Sequence, residues 1–184
     1  MENANAATGK TKDIVLIGMF AVIMAICSWI SIPTAVPFTL QTMGVFLAVG
    51  VLGGKRGSMT VLIYILLGLV GVPVFHGFTG GPGILFGNTG GYIIGFLGSA
   101  LVMWLVEKVA GGRLGKWVRI LSMLAGLCVC YTFGTIWFVF VYTRNVGTVG
   151  LMTVLGWCVF PFIIPDLIKI MLAFMLSNRL RQYV

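Results

Sequence analysis

Apolar residues fall in six long blocks, at about 14–30, 40–53, 57–70, 91–109, 118–141 and 149–178, and Gly, Pro or charged residues make the breaks between them. A helix that crosses a bilayer needs about 20 apolar residues, with a range of about 17–25. Two blocks are short. Leu40 to Gly53 and Gly57 to Val70 are separated only by Gly54, Lys55 and Arg56, which predicts a tight helical hairpin whose spans borrow flanking residues or tilt little. The last block is too long for one span, and Pro161 and Pro165 divide it. Proline is best tolerated in a first helical turn, so the final helix is predicted to start near Pro161 or Pro165 and to end near Leu180, with residues 149–160 at the interface or dipping partly into the membrane. The pattern predicts an all-α membrane protein, a bundle of six transmembrane helices, with residues 1–13 as an N-terminal tail and residues 14–181 as one transmembrane domain. Residues 10–30 have a basic start and an apolar stretch, but the stretch is too long for a signal peptide and no small-residue cleavage site follows, so a retained helix is expected.

Charge orients this bundle. Cytoplasmic loops of membrane proteins carry the excess of Lys and Arg. Lys10, Lys12, Lys55, Arg56, Lys108, Arg113, Lys116, Arg119, Arg179 and Arg181 all fall on one side of a six-span layout, Arg144 alone falls on the other, and Lys169 lies within the last helix. Both termini are therefore expected in the cytoplasm, in a plasma-membrane protein. An odd number of crossings would destroy the asymmetry. The Gly-rich segment between helices 3 and 4 then faces outward, with the uncharged turn from Ser31 to Thr39 and the start of helix six.

Composition excludes the soluble alternatives. The chain is 59% hydrophobic and 9% charged, against roughly 45–50% apolar and about 25% charged in a soluble domain. The formal charge of +8 would raise nucleic-acid binding in a soluble protein; here the basic residues mark loops, and the expected surroundings are lipid. Cys27, Cys128, Cys130 and Cys158 all lie in apolar runs and read as small buried fillers. His76 is the only histidine, which leaves no basis for a metal site or a His-based triad and suggests a pocket or interfacial residue. Ala4 to Thr11 fits a relaxed phosphate-loop pattern, but no strand precedes it and no α/β domain could follow. Neither a cofactor nor catalytic residues are expected. Glu107 reads as a solvated charge at a helix end.

Three constellations remain. Asp166 and Lys169 sit three apart on one face of the last helix, where a charge inside the membrane costs roughly 2.5–3.5 kcal/mol and usually faces a cavity or a partner. They read either as a ligand-binding pair or as an ion pair that neutralises itself and only orients the helix. In the first case Lys169 supplies a cation for an anion, and Asp166 holds that ammonium or accepts from ligand N–H groups. The segment Gly71 to Tyr92 cannot be a lipid-facing helix, and irregular backbone at membrane depth is tolerated only around protein or a water-filled cavity. Its Phe75, Phe78 and Tyr92 offer apolar walls, Asn88 and Thr89 polar handles, and Gly90 and Gly91 close approach. Finally, Gly18, Ala21, Ala25 and Ser28 form a small-residue stripe on helix one, suited to close packing against a helix of this chain or of another subunit. A pocket of this kind suits a small, largely apolar solute ending in an anion, which points to transport. No ATP site, proton relay or duplicated half is evident, so energy for uphill movement must come from elsewhere.

Val36-Pro-Phe-Thr-Leu-Gln41-Thr42, Gly71-Val-Pro-Val-Phe75, Thr89-Gly-Gly-Tyr92-Ile-Ile-Gly-Phe96 and Pro165-Asp-Leu-Ile-Lys169 together resemble the biotin-specific substrate-binding subunits, or S components (BioY family), of energy-coupling factor transporters. The resemblance extends over almost the whole chain. It implies a six-helix subunit that captures biotin from outside and works with a transmembrane coupling subunit and two cytoplasmic ABC-type ATPases. It also implies that Asp166 and Lys169 bind ligand and that the stripe with Ala21 and Ala25 faces the coupling subunit. Asn88 departs from the family pattern, which has Pro before Thr-Gly-Gly-Tyr, so its contact rests on its amide alone. Biotin suits the inferred pocket: its carboxylate asks for Lys169, its ureido ring for Asn88, Thr89, Gln41 or Asp166, and its fused ring for the aromatic walls. Rival readings are an S component for another vitamin, an intramembrane enzyme using Asp166 or His76, and a structural subunit that only packs.

Overall fold

The computed structural model describes residues 2–33, 36–112 and 114–184, with side chains from residue 9 on. Thr34 and Ala35 of the expected outer turn, and Arg113 of the ten basic loop residues, lie outside the described residues. Helices dominate: α1 (Glu2–Trp29), α2 (Gln41–Leu52), α3 (Gly54–Leu69), the single turn α4 (Pro82–Leu85), α5 (Gly90–Val109), α6 (Lys116–Asn145), α7 (Leu151–Cys158) and α8 (Phe160–Leu180). Residues 2–13, expected as a tail, are helical and continuous with the first apolar block. The turn after α1 contains two short antiparallel strands, β1 (Ser31–Ile32) and β2 (Phe38–Thr39), which the apolar pattern did not foresee.

Among the described residues, four stretches are long and apolar enough to cross a membrane: Gly9–Trp29, Gly90–Val109, Lys116–Asn145 and Leu151–Tyr183. α2 has only 12 residues, about 18 Å at 1.5 Å per residue, well short of the roughly 30 Å hydrocarbon core. Its surroundings explain why it is tolerated. Ten of its residues are buried, and it packs against α1, α3, α5 and α8, so protein rather than lipid surrounds most of it; an all-round apolar sequence is what such a helix needs. Gly54, Lys55 and Arg56, expected as the hairpin link, form the first turn of α3, and Gly53 at φ 81° makes the reversal alone. α7 ends at Val159, whose φ of −125° and ψ of −59° break the helix, and Pro161 occupies the first turn of α8.

Charge gathers at one end of the bundle. Arg56 pairs with Asp13 at 3.1 Å, and Arg119 donates to the Asn178 side chain. Glu107, expected as a solvated charge, is instead partly buried: it accepts from the Gly54 backbone N–H at the start of α3 and pairs with Arg181 at 3.7 Å. A carboxylate there complements the partial positive charge of a helix N-terminus.

At the other end, residues 70–89 contain only α4 and a three-residue 3-10 turn, His76–Phe78. Hydrogen bonds tie this segment down. Ser28 Oγ, Tyr64 Oη and Trp29 Nε1 donate to the carbonyls of Val74, Val74 and Pro73 at 2.5, 2.9 and 2.9 Å, and Trp137 Nε1 donates to that of Gly87 at 3.0 Å. Phe75 is fully buried, edge-on to Tyr64 with ring centroids 5.6 Å apart, and its ring lies where a side chain on Gly68 would stand. Gly68→Ala should therefore lower stability by about 1–3 kcal/mol through overpacking, read as a fall in unfolding temperature in detergent. Gly83→Ala, where an added Cβ meets nothing within 4 Å, should shift it by less than about 0.5 kcal/mol.

Candidate functional site

The loop end of the bundle forms a cavity with about 600 Å3 of empty space, counting the space open at its mouth. Five helices and two loops build it. α2 contributes Gln41 and Thr42, α5 Tyr92, Ile93 and Phe96, α6 Cys130 and Tyr131, and α8 Phe162, Asp166 and Lys169. Cys158 at the end of α7, the turn residues Val36, Pro37 and Thr39, His76 and Thr89 complete the lining.

Asp166 and Lys169 stand at its buried end, 3% and 4% exposed. One turn of α8 brings Lys169 Nζ to 2.8 Å from Asp166 Oδ1. Thr42 Oγ1 donates to the same oxygen at 3.0 Å, and Tyr131 Oη donates to Oδ2 at 2.5 Å. Three helices thus converge on one carboxylate. The ammonium is held as closely: its second hydrogen bond is to Thr42 Oγ1 at 3.5 Å, and the Phe38 ring lies beneath it at 4.1 Å, a cation–π contact. The charges neutralise each other and line the cavity.

Gln41 is 5% exposed and donates through Nε2 to Tyr64 Oη at 2.6 Å, in a chain that continues to the Val74 carbonyl. Tyr92 is fixed by Thr135, with the two hydroxyls 3.2 Å apart. Thr89 precedes the first turn of α5 without capping it through its side chain.

Five other candidates lie away from the lining. Phe75 belongs to the core, as above. Phe78 is 64% exposed at φ 58°, stacked on Trp29 with centroids 4.8 Å apart. Asn88 is half-buried, next in sequence to the lining residue Thr89. Gly90 and Gly91 serve packing: a Cβ on Gly90 would strike the Leu85 carbonyl, and one on Gly91 the Trp137 side chain.

The helix-one stripe is also redistributed. Ala21 and Ala25 are 3% and 4% exposed and Ser28 is fully buried, because α2 and α3 of this chain already cover them. Gly18 is exposed, on a face shared with Met19, Val22 and Ile26. Among the cysteines, Cys27, Cys130 and Cys158 are buried and Cys128 is exposed.

The apolar pattern passed over Thr42 and Tyr131. Thr42 has no neighbouring charge in sequence to mark it. Tyr131 left one signal, a phenol in the middle of a membrane helix, where a hydroxyl needs a partner. Cys158 and Phe162 left none, since lining residues of an apolar cavity look like core.

Comparison with known proteins gives the family of the chain. The crystal structure of an S-component for biotin from an ECF-type ABC transporter superposes with a TM-score of 0.83 at 28% identity, covering 95% of this chain and 93% of that one. A probable biotin transporter BioY of Pyrococcus horikoshii is 40% identical over 173 residues, 94% of this chain and 98% of that protein. A biotin transporter BioY of Thermotoga maritima is 39% identical, over 93% of this chain and 96% of that one. The BioY family pattern matches residues 1–184. With the family pattern, the similar sequences and the superposed fold in agreement, this chain belongs to the BioY family.

Proposed function

We propose that this chain is the biotin-binding subunit of an energy-coupling factor uptake transporter. It captures biotin in the cavity at the outer face of the plasma membrane and delivers it inward with a coupling subunit and two ABC-type ATPases. The relatives' names support biotin as the solute, and the observation that carries the reading is the neutralised Asp166–Lys169 pair at the buried end. The six-span layout with both termini in the cytoplasm, and residues 14–181 as one transmembrane domain, is supported by the gathering of Arg56, Glu107, Arg119 and Arg181 at the end opposite the cavity. The chain itself is a transport protein and not an enzyme; ATP hydrolysis belongs to the partner subunits.

The pair's geometry favours the ureido ring of biotin, rather than its carboxylate, at Lys169. A lone ammonium would suit the carboxylate, but this one already faces Asp166, and a second anion would leave the site with an uncompensated buried charge. A carboxylate and an ammonium side by side instead complement a cyclic urea, whose N–H groups donate and whose carbonyl accepts. The ureido ring therefore enters first and the carboxylate stays toward the mouth. Tyr92, Phe96 and Phe162 line the path of the fused ring. The contributions proposed for Gln41 and Thr89 come from the cavity wall, those for Asn88, Gly90 and Gly91 from the support of its mouth, and Phe75 and Phe78 act by fixing the loop. The coupling subunit meets the exposed face of α1 through Gly18; Ala21, Ala25 and Ser28 support that face from within.

Binding requires no ATP. Isothermal titration of the purified protein should show biotin binding without partners, and a panel of other vitamins should fail to compete. Lys169→Ala should weaken binding by about 2–5 kcal/mol, since it leaves Asp166 charged and unpaired. Tyr131→Phe should cost about 1–3 kcal/mol, because it removes one donor from a buried carboxylate. Intact protein that binds no biotin, or binds another vitamin in preference, would overturn the assignment.

A further inference from the structure

Biotin carries a carboxylate into this cavity, and the lining must accommodate its charge. The fixed charges there are Asp166 and Lys169, 2.8 Å apart and mutually neutral. An anion added to a neutral, largely apolar cavity is costly unless a positive charge comes with it. The other ionisable side chains of the lining are Tyr92 on α5, Tyr131 and Cys130 on α6, Cys158 on α7, and His76 on the loop. Tyrosine and cysteine ionise only to anions. Histidine alone in that set becomes a cation near neutral pH.

The position of His76 suits the task. It opens the 3-10 turn that lines the cavity, it is half-buried, and the residues after it, Gly77 and Phe78, are exposed. It thus stands on the solvent-facing side, opposite the buried end that holds the ion pair and, with the ureido ring there, beside the ligand's acidic tail. Its backbone carbonyl is engaged by Thr79 Oγ1 at 2.8 Å, whereas the ring makes no hydrogen bond to a described residue. α1 packs against this turn through Trp29, stacked on Phe78, and in its last two turns the one ionisable side chain is Cys27; Tyr64 lies behind Phe75.

We infer that His76 is a ligand-binding residue for the carboxylate of the solute, taking up one proton from solvent as the anion enters and returning it on release. The inference rests on the biotin reading above. Burial holds the free imidazole below its usual range, so it is neutral in the empty protein at neutral pH; the bound carboxylate raises it. Affinity for the anion therefore rises as pH falls from the bound-state pKa toward the free-state pKa, and is flat outside that window. The solute's own carboxyl, near the usual value of about 4.3–4.8 for an alkyl acid, stays ionised throughout it.

Titration of the purified protein with biotin and with biotinamide, which keeps the ureido ring and loses the charge, at pH 5.5 and pH 8 tests this directly. Biotin should bind about tenfold or more tightly at pH 5.5, biotinamide equally at both, and in His76→Gln the two biotin affinities should converge. Repeating the wild-type titration near pH 6.5 in buffers of different ionisation enthalpy should show up to one proton taken up with biotin and none with biotinamide. This reading holds even if the variant fails to fold. Flat biotin affinity, a pH response shared by biotinamide, or a response retained in His76→Gln would overturn the role of His76 and leave the biotin assignment standing. Absence of biotin binding at both pH values would overturn the assignment and the inference together.

Discussion

Two opposite charges one turn apart on a membrane helix govern this structure. Neither Asp166 nor Lys169 could be buried alone, because an unpaired ion in a low-dielectric interior costs several kcal/mol. Paired, they still need their remaining hydrogen-bonding capacity met, and that need recruits three other elements. Thr42 comes from α2, Tyr131 from α6 and Phe38 from β2. The ion pair is thus the point at which otherwise separate helices are brought to one place, and the cavity is the space left beside it.

The constraint extends outward. α2 has to deliver Thr42 to the pair and Gln41 to the cavity wall, which places a short apolar helix at the centre of the bundle, surrounded by protein. The irregular segment of residues 70–89 has to close the cavity without leaving its backbone unsatisfied. Side chains of α1, α3 and α6 donate to its carbonyls at Pro73, Val74 and Gly87, and Phe75 fastens it to the core beside Gly68. A loop anchored in this way holds His76 in the cavity lining, with the ion pair at the buried end. In the binding mode proposed above, selectivity would rest on two separated features, a neutral donor–acceptor pair inside and a titratable ring outside.

Sequence reading reached the parts of this that physics makes conspicuous. Charges in a membrane helix stand out against apolar neighbours, so Asp166 and Lys169 were legible, as was the start of α8 from Pro161. The excess of Lys and Arg at the chain breaks was legible for the same reason, whereas the link between α2 and α3 was placed one residue late, since Gly53 makes the reversal and Gly54, Lys55 and Arg56 open α3. Direction within a loop was not. Phe75 and Phe78 look alike in a Gly-rich stretch, yet one is in the core and the other stacks outside on Trp29. Stripes have a similar ambiguity: spacing put Gly18, Ala21, Ala25 and Ser28 on one face, but covering by α2 and α3 separated Gly18 from the rest. Glu107 was misread because its partners, Gly54 and Arg181, are distant in sequence. Tyr131 entered the site through a contact with α8 that no local pattern encodes.

The central claim is that the Asp166–Lys169 pair receives the neutral ureido ring while the acid end of the solute remains at the mouth. A structure of the protein with biotin bound decides it most directly. The account requires the ureido oxygen and nitrogens within hydrogen-bonding distance of Lys169 Nζ and the Asp166 carboxylate, with the valerate directed toward His76. A carboxylate seated on Lys169, with Asp166 displaced from it and the ureido ring at the loop, would contradict it.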